Sequence, residues 1–144
     1  MSVDENKMVV RRFVEEVQGQ HKLDLAEELM SSKMVDHYFE TQGIPHTENA
    51  VKEFNKFYSN LLAAFPDITA VIHHQVAEGD LVATYKTLYG THKGEFRGIQ
   101  PTGKKIALDL MDFFRLTDGK IVEHWAVIDF MNLMRQLGAV SPVK

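Results

Sequence analysis

The stretch that most constrains the fold runs from residue 106 to residue 138, where two strand-like patterns flank the dipeptide Asp118-Gly119. A two-residue turn of this composition joins antiparallel strands, because both of its positions tolerate the positive φ angles of a type I′ turn. Apolar residues at helical spacing follow from residue 129 to residue 137, and Gly138 ends them. The stretch therefore predicts a β-hairpin that is closed by a helix.

The N-terminal part of the chain predicts two helices. Ser2 and Glu5 have the spacing of a capping box, and the amphipathic pattern that follows them ends at Gly19. Asp24 begins a second, short helix, which ends near Ser31. These first elements are therefore amphipathic helices with one face turned to a core.

A third helix is the longest aromatic stripe of the sequence. Thr47 or Asn49 can cap it, its aromatic residues recur at helical intervals, and Pro66 prevents its continuation. Most members of such a stripe are core residues, although one or two can contact a ligand. The segment 34–45, which precedes this helix, has little periodicity and is consistent with a short extended piece before the turn at Gly43.

After Pro66 the pattern changes to segments rich in β-branched and aromatic residues, which predict strands. These segments are 68–78, 81–92, 105–116 and 121–129. Gly79-Asp80 is a second two-residue hairpin signal between the first two of them. Helices followed by antiparallel strands define an α+β fold, and 144 residues predict a single domain that spans residues 1–144.

Composition excludes several classes of function. A net charge of −4 argues against a nucleic-acid partner, which usually requires a basic face. No apolar run reaches the length of a membrane span, and the polar start of the chain predicts a cytoplasmic protein. The absence of cysteine excludes thiolate chemistry, and no histidine spacing typical of a metal site occurs. We therefore expect no metal and no cofactor, and any chemistry must use oxygen and imidazole groups.

Asp112 is the first candidate for such chemistry. Side chains alternate across a strand, so Asp112 shares the more apolar face of its strand with Leu110 and Phe114. Burial raises the pKa of a carboxyl group unless a donor or a cation compensates, and a raised pKa suits a general acid or base. Asp112 is therefore either an acid/base residue or a carboxylate paired to hold the fold.

His124 is the second candidate, on the next strand. It shares a face with Val122, Ala126 and Ile128, and the opposite face begins with Ile121. Counting outward from the 118–119 turn pairs residue 116 with residue 121 and places position 112 near the level of residues 124–126. Contact between Asp112 and His124 is thus expected, either as a proton-shuttling pair or as a satisfied buried polar pair.

Several motifs resemble those of the SnoaL-like polyketide cyclase, or ester cyclase, family. They are FPDI at 65–68, EGDLV at 78–82, GTHKGEFRGIQPTGKKI at 90–106, and FRLTDGKIVEHWAVID with RQLG within 114–138. The resemblance covers roughly residues 5–138 and is most specific in its last part. It implies an NTF2-like, cone-shaped α+β barrel, in which a curved antiparallel sheet wraps around the N-terminal helices and encloses a deep apolar pocket. It also implies a homodimer formed through the outer face of the sheet.

The resemblance also implies chemistry. Cyclases of this family close a polyketide ring by an intramolecular aldol reaction without a cofactor, with an aspartate as general acid/base. The position of that aspartate falls on Ala126, while a family histidine on the preceding strand falls on Asp112. We therefore expect Asp112 and His124 to be catalytic. The expected substrate-binding residues are Phe13, His37, Phe54, Tyr58, Phe65 and Ala126.

Three functions follow from these observations. The first is a cofactor-independent cyclase, isomerase or dehydratase that acts on a small hydrophobic carbonyl compound, with Asp112 as acid/base and His124 as its partner. The second is a non-catalytic protein that binds a hydrophobic ligand, because Ala126 stands where the cyclases carry their aspartate. The third is a dimeric structural module with a filled interior.

Overall fold

The computed structural model describes residues 1–46 and 48–141. The helices are α1 (Val3–Arg12), α2 (Ala26–Leu29), α3 (His37–Thr41), α4 (Ala50–Ala64) and α5 (Phe130–Gln136). The strands are β1 (Met30–Asp36), β2 (Thr69–Glu78), β3 (Leu81–Thr91), β4 (Lys105–Thr117) and β5 (Lys120–Ile128). A π-helical segment, Phe13–Gly19, extends α1, and a short 3-10 helix, Leu23–Leu25, leads into α2.

The strands form one five-stranded sheet in the order β1-β5-β4-β3-β2. All neighbours are antiparallel except β1 and β5, which run parallel. The predicted α+β class and antiparallel sheet are confirmed. The predicted second helix is too long, because it ends at Leu29. The extended piece expected within 34–45 is correct only up to Asp36, where β1 ends, and wrong from His37, where α3 begins. Pairing with the edge of β5 makes this segment a strand, although its own sequence pattern is weak.

Local signals position the helices as expected. The Ser2 hydroxyl accepts a hydrogen bond from the amide of Glu5 at 3.1 Å, which is the N-cap contact of the predicted capping box. The Asn49 side chain accepts from the amides at the start of α4, and the Asp129 side chain accepts from the amide of Asn132 in α5. The alternative cap of α4, Thr47, lies outside the described residues.

Both predicted hairpins are present, and the second sets the register of the site. Asp118 and Gly119 have φ angles of 49° and 78°, as a type I′ turn requires. The register pairs Leu116 with Ile121, as counting from the turn predicts, and Asp112 with Ala126, which lies within the predicted level of residues 124–126.

The predicted face of Ile121 is wrong. The register shifts between Arg115 and Leu116, so that Val122 is an extra residue in β5. Because of this bulge, Ile121 is fully buried on the same inner face as His124.

The core lies between the concave inner face of the sheet and the helices. Every second residue of β4 is buried. The Phe13 ring packs on the Phe54 ring of α4 and on the Phe114 ring of β4, with centroids 5.0 Å and 5.9 Å apart. Three elements that are distant in sequence therefore meet at Phe13, close to the site described below.

The outer face of the sheet leaves large apolar side chains exposed. Met111, Phe113 and Val127 are 56%, 50% and 78% exposed, and Met111 pairs directly with Val127. An apolar patch of this kind is typical of a surface that contacts another protein. Dimerisation through this face stays a prediction. Within the described residues, no helix is both long and apolar enough to cross a membrane.

The loop after β3 is attached to the end of α4 by a close backbone approach. The amides of Lys93 and Gly94 both donate to the carbonyl oxygen of Ala64, at 2.9 Å and 3.1 Å. A Cβ atom at Gly94 would overlap the carbonyl oxygen of Ala63. Only glycine therefore fits at this point without displacing the loop.

Replacing Gly94 with alanine is expected to lower the free energy of unfolding by about 1–3 kcal/mol, because backbone must move to accommodate the added methyl group. Urea unfolding followed by circular dichroism measures the change. The matched control is Gly19→Ala, whose Cβ would meet its nearest neighbour at an ordinary 3.4 Å. The control should change stability by less than about 0.5 kcal/mol. Equal effects of the two substitutions would contradict the interpretation.

Candidate active site

A buried ion pair lies on the inner face of the sheet. Asp112 on β4 and Lys86 on β3 are each 1% exposed, and Lys86 Nζ lies 2.5 Å from Asp112 Oδ2. Lys86 Nζ also donates to Gln18 Oε1 of the π-helical segment, at 2.7 Å. The carboxylate and the ammonium group thus compensate each other in a place that water hardly reaches.

His124 on β5 joins this pair to a second carboxylate. Its Nε2 lies 2.7 Å from Asp112 Oδ1, and its Nδ1 lies 3.1 Å from Asp36 Oδ2. The other carboxylate oxygen of Asp36 accepts from the amide of Phe39 and caps α3, at 3.1 Å. Five side chains therefore form one continuous series, which we call the buried charge chain: Asp36, His124, Asp112, Lys86 and Gln18.

The protonation of the chain follows from these contacts. Burial disfavours the imidazolium form of His124, but the hydrogen bonds and charges of Asp112 and Asp36 outweigh it and raise the pKa of His124 to about 9. Burial likewise acts to raise the pKa of Asp112, but the positive charge of Lys86 and the hydrogen bond from His124 lower it below its usual value. At neutral pH His124 is thus a cation, and both of its ring N–H groups donate to carboxylates.

A cavity of about 50 Å³ opens against this chain. Asp112, His124, Lys86, Asp36 and Gln18 contribute to its wall. The predicted residues Phe13 and Phe54 line it as well, together with further aromatic and aliphatic side chains. Pockets that hold small organic ligands usually measure roughly 300–1,000 Å³. A ring-sized ligand therefore enters only if wall side chains move.

Two predicted substrate-binding residues are core residues outside the cavity wall. Tyr58 stacks on Phe54 with ring centroids 5.5 Å apart, and its hydroxyl donates to the backbone oxygen of Gln18 at 2.7 Å. Phe65 packs on the ring of Phe96, 5.3 Å away. Tyr58 thereby holds the backbone of a residue of the buried charge chain.

The other two predicted binding residues also lie outside the cavity wall. The imidazole of His37 points to the outer side of β5, where Nε2 lies 2.6 Å from Glu123 Oε2 and the ring stacks on Trp125 at 4.9 Å. Ala126 is the direct cross-strand partner of Asp112, but its short side chain is not part of the wall. The family position of the aspartate is thus next to a carboxylate that comes from the neighbouring strand.

The sequence interpretation missed Lys86, Gln18 and Asp36. A signal existed for Lys86, because alternation along β3 places it on the same face as the buried Val82 and Leu88. Asp36 gave no such signal, since it ends a strand whose pairing with β5 depends on the tertiary fold.

The molecule has a curved sheet that covers helices, and the concave face of this sheet carries the buried charge chain. This architecture is that of the NTF2-like α+β barrels. The sequence profile of the SnoaL-like polyketide cyclases matches residues 8–137. The chain therefore belongs to the SnoaL-like polyketide cyclase family.

Relatives and solved structures agree with this assignment. The chain is 28% identical over 138 residues to aklanonic acid methyl ester cyclase DnrD of Streptomyces peucetius. This match covers 93% of the present chain and 91% of the relative. It is 32% identical over 92 residues to the nogalonic acid methyl ester cyclase of Streptomyces nogalater, covering 63% and 69% of the two chains. The crystal structure of AclR from Streptomyces galilaeus, proposed to be a hydroxylase, superimposes with a TM-score of 0.84 at 31% identity and covers 99% and 87%.

Proposed function

We propose that this protein is a cofactor-independent acid/base enzyme of the cyclase or isomerase type, acting on a hydrophobic carbonyl compound. The observation that carries the proposal is Asp112, a carboxylate that is 1% exposed, lines a mostly apolar cavity and lies between two basic groups. The family supports cyclase chemistry, and two relatives are named as methyl ester cyclases.

In the proposed reaction Asp112 removes a proton from the carbon next to a carbonyl group. The C–H bond breaks, the proton goes to the carboxylate, and the electron pair moves to the carbonyl oxygen as an enolate. Lys86 and His124 lie on either side of Asp112 and stabilise that developing negative charge, in a site with little water. The enolate carbon then attacks a second carbonyl carbon, and the oxygen of that carbonyl group takes the proton back from Asp112, which gives a cyclised product. In an isomerisation Asp112 instead returns the proton to a different carbon of the delocalised enolate.

The low pKa of Asp112 does not prevent this step. Each carboxylate oxygen has lone pairs left after one hydrogen bond, so the contacts with Lys86 and His124 leave acceptor sites open. A substrate oxygen that accepts a hydrogen bond from Lys86 weakens the attraction between Lys86 and Asp112. The charge of Lys86 is the main cause that lowers the pKa of Asp112, so this pKa then rises. Substrate binding therefore makes Asp112 a stronger base at the moment when a base is needed.

A second function, a non-catalytic carrier of a hydrophobic ligand, is favoured by one observation. Both oxygens of Asp112 and both ring nitrogens of His124 already have partners, which is what a purely structural polar chain requires. In a carrier, the ligand would fill the cavity and Asp112 would only hold the strands together.

The test uses aklanonic acid methyl ester as substrate, with chromatography, mass spectrometry and an oxygen electrode as readouts. An intramolecular aldol addition preserves the mass, whereas a hydroxylation adds oxygen and consumes it. We expect an isomeric product, and Asp112→Asn should lower kcat/KM by at least about 100-fold, because it removes the base while retaining the shape. Asp109→Asn, on the same strand but on its other face, is the matched control and should keep its activity.

Unchanged turnover in Asp112→Asn would refute the assigned base. Saturable binding of the ester with no conversion by the native protein would favour the carrier, and oxygen uptake with a heavier product would assign a hydroxylase instead. Circular dichroism of each variant at the assay temperature separates loss of chemistry from loss of fold.

A further inference from the structure

A second concave space lies outside the cavity of the buried charge chain. This outer groove has a volume of about 260 Å³ and is formed by α4, the loop after β3 and the start of α5. The half-buried ring of Phe57 lines both the groove and the inner cavity. Movement of this one side chain would join the two spaces, which together are large enough for a ring compound.

Arg97 is the cation of the groove. Its guanidinium group lies over the ring of Phe130 at 4.3 Å and over the ring of Phe96 at 5.5 Å, and forms no ion pair with any described residue. Glu95 contributes to the same groove without an ion pair to Arg97. A guanidinium group that is held by aromatic rings and has no carboxylate partner among the described residues is well suited to bind the carboxylate of a ligand.

The backbone fixes Arg97 in this place by a disfavoured conformation. The amides and carbonyls of Phe96 and Ile99 exchange hydrogen bonds of 3.0 Å and 2.8 Å, so residues 97 and 98 form a tight turn. Arg97 has a φ of 48° there, in the left-handed region that favours glycine or asparagine. Such positions are found preferentially where a side chain is needed for function.

Tyr38 supplies a second, independent observation. It is 6% exposed and lines the inner cavity, and its buried hydroxyl group makes no hydrogen bond of good geometry with a described residue, although the Arg97 side chain lies near it. A buried hydroxyl without a partner is costly unless a ligand satisfies it. Burial raises the pKa of Tyr38, and Arg97 opposes this through its charge and a side-chain hydrogen-bonding interaction, so the two polar groups lie close together.

We infer that Tyr38 and Arg97 together bind an anionic oxygen of the ligand, a carboxylate or a phenolate, while its apolar body displaces Phe57 and reaches the cavity of Asp112. This inference rests on the proposed function in one respect, because it assigns the reacting carbonyl group to that cavity. The substrate class is thereby narrowed to hydrophobic carbonyl compounds that carry a separate oxyanion.

The test measures binding by titration calorimetry with 2-naphthoate and with its uncharged counterpart 2-naphthamide. The native protein should bind the acid about tenfold more tightly than the amide, as charge-assisted hydrogen bonds predict. Arg97→Gln should abolish this preference, and Tyr38→Phe should weaken binding of the acid by about fivefold. Lys93→Gln, an exposed cation of the same loop outside the groove, is the matched control and should retain the preference.

Equal binding of acid and amide, no saturable binding of the acid, or a preference that survives Arg97→Gln would each overturn the inference. The substitutions affect an exposed side chain and a single hydroxyl group, and thermal unfolding verifies that the variants are folded. Binding is measured without turnover, so an inactive Asp112→Asn variant leaves this result intact. Conversely, a failed binding test leaves the proposed reaction of Asp112 standing.

Discussion

Replacing Lys86 alone with methionine is expected to lower the free energy of unfolding by about 3–5 kcal/mol. The substitution removes the cation that lies 2.5 Å from Asp112 Oδ2, and both side chains are 1% exposed. Asp112 would then be a buried carboxylate with His124 as its remaining cationic partner, and Gln18 would lose its donor. Desolvation without compensation is the physical reason for the loss.

The double variant Lys86→Met with Asp112→Leu should recover most of this stability, to within about 1 kcal/mol of the native protein. Replacing both members of a buried ion pair by apolar residues of similar volume is often neutral or favourable, because neither charge must then be desolvated. His124 loses one carboxylate neighbour in this variant and can respond by releasing its proton, while Asp36 still accepts from Nδ1. The double variant should be folded but inactive.

A double-mutant cycle by urea unfolding measures the coupling between the two positions. The exposed pair Arg11 and Glu15, whose side chains are 40% and 45% exposed, is the control cycle. Its coupling should be below about 1 kcal/mol. If the double variant were as unstable as the sum of the two single variants, Lys86 and Asp112 would act independently and the ion pair would not be a unit.

The contact between Asp112 and His124 was predictable as an approximate neighbourhood, because a two-residue turn places Asp112 near the level of residues 124–126. Strict counting from the pair of Leu116 and Ile121 would set Asp112 opposite Trp125. The register shift in β5 moves the pairing by one residue, to Ala126, and so brings His124 to the face of Asp112. The bulge at Val122 was not predictable in the same way. The residue types of a strand do not show where a bulge occurs, because packing against the neighbouring elements decides which residue is left unpaired.

The partners of this pair depend on long-range contacts that alternation and helical periodicity do not encode. Gln18 and Lys86 are separated by 68 positions in the chain, and Asp36 and His124 by 88. The pattern identifies Lys86 as inward-facing, but it cannot show that Gln18 and Asp112 meet it there. The size of the cavity is a further property of packing, since it depends on how the rings of several elements fill one space.

Stability is expected to decline as the pH rises from about 6.5 to about 9, because His124 binds its proton more tightly in the folded protein. Its pKa rises from 6.5 to about 9, since the hydrogen bonds to Asp112 and Asp36 outweigh the cost of burial. The stabilisation that comes with a raised pKa is fully present below the pKa of the group in the unfolded chain. It is lost as the pH rises through the pKa of the group in the folded protein. At about 1.4 kcal/mol per pH unit, the expected loss is roughly 3 kcal/mol.

Asp112 acts in the opposite direction at acid pH. Its pKa is lowered in the folded protein, so its contribution is present above its ordinary value of 3.8 and is lost as the pH falls further. The buried charge chain should therefore stabilise the fold most strongly between about pH 4 and pH 6.5. Urea unfolding at pH values from about 2 to about 9.5 measures both limbs of this profile.

The substitution His124→Gln isolates the alkaline limb, because glutamine can still donate a hydrogen bond but does not titrate. We expect the variant to be less stable than the native protein at pH 6 and to approach it towards pH 9. His21→Gln is the matched control, since the His21 ring bonds to the backbone oxygen of Ile68, at 2.7 Å, and lies outside the buried charge chain. It should leave the alkaline decline unchanged. Parallel pH profiles of the native protein and His124→Gln would mean that folding does not change the proton affinity of His124, and the two carboxylates would then not hold it as an imidazolium.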